Sequence, residues 1–201
     1  MKLLLFSDVH VNKTHCRRVV EMSKEVDLVI GAGDFGSLRM GIKKTIKWLS
    51  AIDRPSILVP GNAESFKELQ KACENWPSAI VLHGTKTEIS GQTFFGIGGG
   101  IPVTPFGPWS YDFTEEEGRD LLKKCPEKAV LISHSPPYGG LDVSSRGQHL
   151  GSYAVLETIQ SRNPKLVVCG HIHESSGREI EFEGTTLVNA GPRGVFYNLS
   201  G

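Results

Sequence analysis

The chain has no Cys-x-x-Cys pair, no excess of either charge and no long apolar run, and each absence removes a class of function. Its four cysteines, Cys16, Cys73, Cys125 and Cys169, are scattered, which argues against a disulfide frame or a zinc knuckle. Cys169 closes the aliphatic run Leu166-Val167-Val168, the position of a small buried hydrophobe. Lys plus Arg and Asp plus Glu both number 22. No broad positive field therefore recommends nucleic acid or an anionic membrane as a partner, and any anion binding must be local. The first apolar run, Leu3 to Phe6, is too short for a signal-peptide core, and no later segment approaches transmembrane length. A cytoplasmic protein without membrane partners is expected, with a homo-oligomer left open. The 201 residues fit one domain spanning 1–201, with no linker-like stretch.

What is present is a repeated pattern of short apolar runs that end in polar residues. Leu3-Leu4-Leu5-Phe6 reads as a strand buried on both faces, and it runs into Ser7-Asp8-Val9-His10. A surface helix over 14–24 follows, then a strand at Asp27 to Ile30 that ends in Gly31-Ala32-Gly33-Asp34-Phe35-Gly36. A helix is predicted over 38–50, and a third strand, Ser56 to Val59, leads into Pro60-Gly61-Asn62-Ala63-Glu64. Ser65 and Glu68 form a capping-box pattern that opens the next helix. Three β-loop-α units in succession imply a parallel sheet with right-handed crossovers.

The middle of the chain changes character. Runs at 79–82, 85–89 and 93–97, joined by Gly-rich turns, suggest an antiparallel continuation, and Gly98-Gly99-Gly100 suggests a mobile loop. Thr114 and Glu117 make a second capping box, whose helix must stop before Pro126. A strand at 129–133 ends in His134. Residues 135–150 carry no regular pattern, and a loop this long within a compact domain is usually functional or disordered. A helix over 153–161 and a strand at 166–169 deliver Gly170-His171-Ile172-His173. Runs at 178–182, 185–188 and 195–199 suggest an antiparallel meander.

Five strands thus end in metal-capable residues: Asp8 with His10, Asp34, Asn62, His134, and His171 with His173. On extended backbone Asp8 and His10 would point the same way and could grip one ion. If the five strands are neighbours, all seven side chains converge on one rim, and such mixed N and O donors suit manganese, iron, cobalt, nickel or zinc better than magnesium or calcium. A carboxylate between two such groups can bridge two ions roughly 3.5–4 Å apart. Gly31 to Gly36 also matches G-x-G-x-x-G, but a dinucleotide fold fits poorly. Asp34 would aim a carboxylate at the pyrophosphate, and Asp53 precedes the next strand instead of ending it.

These blocks resemble those of the calcineurin-like metallophosphoesterase superfamily: D-x-H, G-D-x, G-N-H-E/D, a later H, and G-H-x-H. They stand here in order as Asp8-Val9-His10, Gly33-Asp34-Phe35, Gly61-Asn62-Ala63-Glu64, His134 and Gly170-His171-Ile172-His173. The resemblance implies an α/β fold, a four-layer αββα sandwich of two mixed β-sheets flanked by helices, with a dimetal site at the sheet edge. It implies Asp8, His10 and His173 on the first metal, Asn62, His134 and His171 on the second, and Asp34 bridging them. The ions would be divalent transition metals, manganese foremost. One departure stands out: Ala63 occupies the place of the family's imidazole, credited with protonating the leaving group or steadying the transition state.

Two divalent ions, less two carboxylates and one bridging hydroxide, leave a positive centre of about one unit that attracts phosphate even in a neutral protein. Coordination can lower the pKa of water from about 15.7 to about 7, giving a nucleophile for in-line attack. The expected activity is hydrolysis of small phosphate esters, phosphodiesters above all, by a metal-bridging hydroxide. The alternatives are a phosphomonoesterase or a non-catalytic metal-binding interaction scaffold on the same fold. His149 precedes Gly151-Ser152 and a helix N-terminus, an anion-facing position, and is a candidate for contacting substrate or replacing the missing acid. Arg146 and Arg193 are candidates for binding the phosphate. Glu64 reads as first-turn helix charge and His83 as an ordinary boundary residue.

Overall fold

From the first strand, Leu3 and Leu5 point one way and Leu4 and Phe6 the other, and all four are fully buried. The computed structural model describes residues 1–200 and shows what each face meets. The first half runs β1 (Lys2–Phe6), α1 (Lys13–Ser23), β2 (Leu28–Gly31), α2 (Ile42–Leu49), β3 (Ser56–Leu58), α3 (Phe66–Ala72) and β4 (Ala79–Val81). The second runs β5 (Thr85–Ile89), β6 (Gln92–Ile97), α4 (Glu115–Leu122), β7 (Val130–Ser133), α5 (Tyr153–Arg162) and β8 (Leu166–Cys169). It closes with β9 (Glu179–Phe182), β10 (Thr185–Asn189) and β11 (Val195–Asn198). One sheet has the order β11-β1-β2-β3-β4 and the other β5-β6-β7-β8-β10-β9.

Leu3, Leu5, Ile30 and Ile57 meet Phe94, Ile132 and Val168 between the two sheets. Leu4, Phe6, Val29 and Leu58 pack instead against α1, α2 and α3 through Val19, Ile46, Leu49 and Leu69. Phe95, Leu131 and Val167 do the same against α4 and α5. The expected four layers are therefore present, and they explain why the central strands read as continuous apolar runs: each is covered on both faces. Both capping boxes form, Ser65 with Glu68 and Thr114 with Glu117. No described helix is long and apolar enough to cross a membrane.

Four expectations are corrected. First, β4 pairs in parallel with β3, Ser56 opposite Ala79, so the antiparallel pairing begins one strand later, in the β5–β6 hairpin. Second, the C-terminal strands are not one meander. β10 pairs in parallel with β8, whereas β11 crosses to the other sheet and lies antiparallel to β1. Alternation tells which face of a strand is buried but not which edge it joins. Third, Gly98, Gly99 and Gly100 are buried, with Gly99 N–H donating to Pro60 O (3.1 Å) and Gly100 N–H to Tyr111 O (3.0 Å). Finally, α2 starts at Ile42 rather than Leu38. Ser37 and Met40 close a tight turn by exchanging backbone bonds of 2.9 and 2.8 Å, with Leu38 and Arg39 in left-handed conformation.

His83 is indeed structural. Its ring packs among Phe66, Tyr111 and Phe113, and its Nδ1 accepts the Gly98 N–H at 3.1 Å. Burial pushes its pKa down to about 4. The unfolded chain therefore takes up this proton first: the stability is present above the ordinary value near 6.5 and is lost as pH falls through 4. Allowing for partial exposure, about 2 kcal/mol should disappear between neutral pH and pH 4. Urea unfolding of wild type and His83→Gln at both pH values checks this. An equal pH dependence in the two proteins would show that His83 contributes none of it.

Candidate metal centre

Strands β1, β2, β3, β7 and β8 all deliver their polar ends to one rim. Backbone bonds tie the turns together: Asp8 N–H to Gly33 O (2.9 Å), His10 N–H to Asp34 O (3.0 Å) and Gly170 N–H to His134 O (3.1 Å). The turns are not extended. Asp8, His10, Asp34 and His171 have φ of 55°, 40°, 58° and 68°, a left-handed backbone costing about 1 kcal/mol or more at each non-glycine residue. The alternation expected for Asp8 and His10 is thus corrected. β1 stops at Phe6, and a tight turn brings the two side chains together.

Ligand-capable atoms of Asp8, His10 and His173 lie within 4.8 Å of one another, as do those of Asp8, Asp34 and His134. Asp34 stands between the two sets: Oδ2 is 3.6 Å from His10 Nε2, and Oδ1 is 3.5 Å from His134 Nε2. His10 Nε2 also lies 3.2 Å from His173 Nε2. Asn62 Oδ1 is 3.1 Å from His134 Nε2, while its Nδ2 donates to Ser110 Oγ at 3.0 Å, turning the carbonyl oxygen toward the centre. The His171 ring packs edge-on to His134 with centroids 4.9 Å apart.

The donor chemistry fits metal ions. His134 Nδ1 and His10 Nδ1 face the carbonyls of Ala32 (2.8 Å) and Gly36 (3.1 Å). Donation there leaves both Nε2 lone pairs for a ligand. Asp8 and Asp34 are buried, yet among the described residues their ion-pair partners are histidines alone. Buried carboxylates without a Lys or Arg call for another source of positive charge. Burial pushes the Asp8 carboxyl up, but the neighbouring His173, with Nε2 3.7 Å from Oδ1, and His134 outweigh it and hold it at about 2. Burial, reinforced by the charge of His134, pushes His171 down to about 3, so it is a neutral donor.

A family model for the calcineurin-like phosphoesterase superfamily domain matches residues 1–196. The chain belongs to that superfamily. It is 30% identical over 222 residues to human metallophosphoesterase domain-containing protein 1, covering 90% of this chain and 64% of the relative, so it spans under two thirds of that protein's length. An uncharacterized protein of Methanocaldococcus jannaschii is 31% identical, with 98% of this chain and 90% of that one covered. Among solved structures, TT1561 of Thermus thermophilus superposes with a TM-score of 0.77 at 17% identity over 99% of both chains. A dimetal phosphatase from Danio rerio superposes with a TM-score of 0.63 at 14% identity over 94% of this chain and 86% of that one.

In this superfamily member, three residues beyond the seven shape the rim. Glu64, expected to be solvated helix charge, is buried and accepts three backbone N–H bonds, from Phe35 (3.2 Å), Gly36 (2.7 Å) and Gly61 (2.7 Å). It knits the Asp34 turn to the Asn62 turn. The available signal was the block Gly61 to Glu64 itself, since Glu64 precedes the capping box instead of belonging to it. Gly61 is needed for close approach: a Cβ there would collide with Asp34 Oδ1. Ala63, in place of an imidazole, is buried and donates its N–H to Asp34 Oδ1 at 2.8 Å.

The outer candidates separate. His149 and Arg146 line a cavity of about 670 Å³ that also touches His171. His149 Nδ1 is 2.7 Å from Asp142 Oδ1, and Asp142 is fully buried. The other oxygen of Asp142 accepts from Gly139 N–H (3.0 Å) and Gly151 N–H (3.1 Å). Asp142 was not singled out in the sequence, because nothing local marks a loop carboxylate as buried. The N-terminus of α5, expected to face an anion, is already capped by the Glu115 carboxylate, which takes Ser152 Oγ, Tyr153 N–H and Ala154 N–H at 2.8–2.9 Å. Arg193 is exposed and lines neither of the cavities beside the centre.

Proposed function

We propose that this protein hydrolyses phosphodiesters using two divalent transition-metal ions, manganese foremost. The observation that carries this reading is Asp34, one of whose carboxylate oxygens faces His10 and the other His134. Asp8, His10 and His173 would hold one ion, Asn62, His134 and His171 the other, and Asp34 would face both. When bound, such ions supply positive charge toward the phosphoryl oxygens and a water acidic enough to attack at neutral pH. The Danio rerio structural relative is described as a dimetal phosphatase, which supports the same class of chemistry.

The chain's own residues supply the rest. Ser110 holds the Asn62 amide, and the carbonyls of Ala32 and Gly36 hold the tautomers of His134 and His10. Two cavities meet at His171, one of about 320 Å³ containing His10, Asp34 and Asn62, and one of about 670 Å³. A second cavity adjoining the one with His10, Asp34 and Asn62 would accommodate a second ester group, which favours a diester over a monoester. His149, its ring fixed by buried Asp142, lines the larger cavity and would give a proton to the leaving oxygen where Ala63 offers none. Arg146 stands on the same wall for the remaining phosphate charge.

Manganese-loaded protein should turn over bis-p-nitrophenyl phosphate at least about tenfold faster than p-nitrophenyl phosphate. The reverse order would make it a phosphomonoesterase, and inertness to both would favour the scaffold. His149→Ala should lower kcat on diesters with alkyl leaving groups about a hundredfold, with a smaller loss where nitrophenolate departs. Unchanged turnover and affinity would remove His149 from the mechanism.

A further inference from the structure

We infer that the larger cavity is a built slot for an uncharged planar aromatic group carried by the phosphoester. This rests on the phosphodiesterase reading and adds a substrate class to it. The slot encloses about 670 Å³ and is continuous with the metal centre, since His171, Phe106, Ser144 and Leu150 line both it and the smaller cavity that holds His10 and Asp34. Apolar surface gathers here. Of the eight large hydrophobic side chains exposed among the described residues, Val103, Phe106, Leu150 and Tyr153 line the slot and Leu38 lines the smaller cavity. Five of the eight thus line these two adjoining cavities, and such apolar patches mark binding sites.

The walls are flat. Tyr138 and Tyr153 stack with centroids 4.2 Å apart and planes at 17°. Phe106, which lines both cavities, stacks on Trp109 of the smaller one at 5.6 Å and 16°. Paired ring faces suit a planar guest better than a flexible chain. The charges point the same way. The carboxylate on the wall, Glu115, is bound to the N-terminus of α5, so that helix end offers no second anion site, and Arg146 on the same wall is left to the phosphate rather than to the aromatic group.

An aromatic leaving group also fits Ala63. Phenol-type oxygens are stable as anions near pH 10 and above, so they depart with little help from an acid. Hydrolysis joins the water oxygen to phosphorus and breaks the phosphorus–oxygen bond to the aryl group. The electron pair of that bond stays on the aryl oxygen, and the water's proton passes to it or to solvent.

Calorimetry with three phosphonates on manganese-loaded protein tests this without turnover. Phenylphosphonate should bind about tenfold or more tighter than methylphosphonate. Tyr153→Ala and Phe106→Ala, both at exposed positions, should each cut that preference about threefold or more, with methylphosphonate binding reporting an intact centre. A ratio near one in wild type, or one untouched by both variants, overturns the slot while leaving the phosphodiesterase reading in place. Octylphosphonate binding as tightly as phenylphosphonate would overturn the aromatic assignment. Absence of binding even for methylphosphonate would overturn the metal-centre reading, and the slot with it.

Discussion

Asp34→Asn should leave the protein folded, strip it of both metal ions and reduce diester hydrolysis by about a thousandfold or more. Asp8 belongs to both groups of ligand-capable atoms, but among the described residues its ion-pair partner is His173 alone. Asp34 faces two, with oxygens 3.6 Å from His10 Nε2 and 3.5 Å from His134 Nε2. An amide of the same shape keeps one carbonyl oxygen but removes the negative charge and turns an NH₂ group toward one of the two sets. The acceptor bonded to Ala63 N–H survives if the amide oxygen occupies the Oδ1 position, so the fold should hold. Elemental analysis after manganese loading, beside the melting curve, checks both halves. A variant that kept one ion at full occupancy would show that Asp34 belongs to one set alone, and Asp8, which falls within 4.8 Å of both sets, would become the better bridge.

Glu64→Ala should be the most destabilising single change near the centre, by about 3–5 kcal/mol, and should lower metal affinity without touching a ligand. The carboxylate is buried, and its removal orphans the backbone N–H groups of Phe35, Gly36 and Gly61. Each costs about 1–3 kcal/mol when left buried and unpaired, partly relieved where water enters the vacated space. The same bonds fix the turns that present Asp34 and Asn62, so both ligands should loosen together. Glu64→Gln separates the effects: it fills the space but can accept with only one oxygen, and should lie between wild type and Glu64→Ala. Denaturant unfolding of apo protein and metal titration of the variants provide the two readouts. Wild-type metal affinity in Glu64→Ala would confine Glu64 to stability.

Much of the site was legible because its chemistry is written at strand ends. Asp8, His10, Asp34, Asn62, His134, His171 and His173 each follow an apolar run, and the structure gathers them on one rim because their strands lie side by side at the facing ends of two sheets. The two capping boxes were legible for a similar reason, since their partners are three residues apart. Where the reading failed, the missing information was distant in sequence. Glu64 looked like helix charge because its donors, Phe35 and Gly36, lie 28 or 29 residues away. The N-terminus of α5 looked open because Glu115 reaches it from 37–39 residues back.

The sequence by itself determined the layers and the ligand types: local hydrophobic period sets which faces are buried, and the order of polar blocks sets which donors reach the rim. Only the tertiary structure decided how those donors meet. Left-handed turns, rather than strand alternation, aim Asp8 and His10, and Asp142 fixes His149 through a contact that no local pattern encodes. It also decided that β11 joins β1 rather than β10, and that Phe106, Tyr138 and Tyr153, from two loops and the start of α5, line one cavity beside His171. The physical reason is that burial and period act over a few residues. Strand-edge choice, backbone strain and buried charge pairing are settled by whichever distant groups the packed sheets bring within a few ångströms.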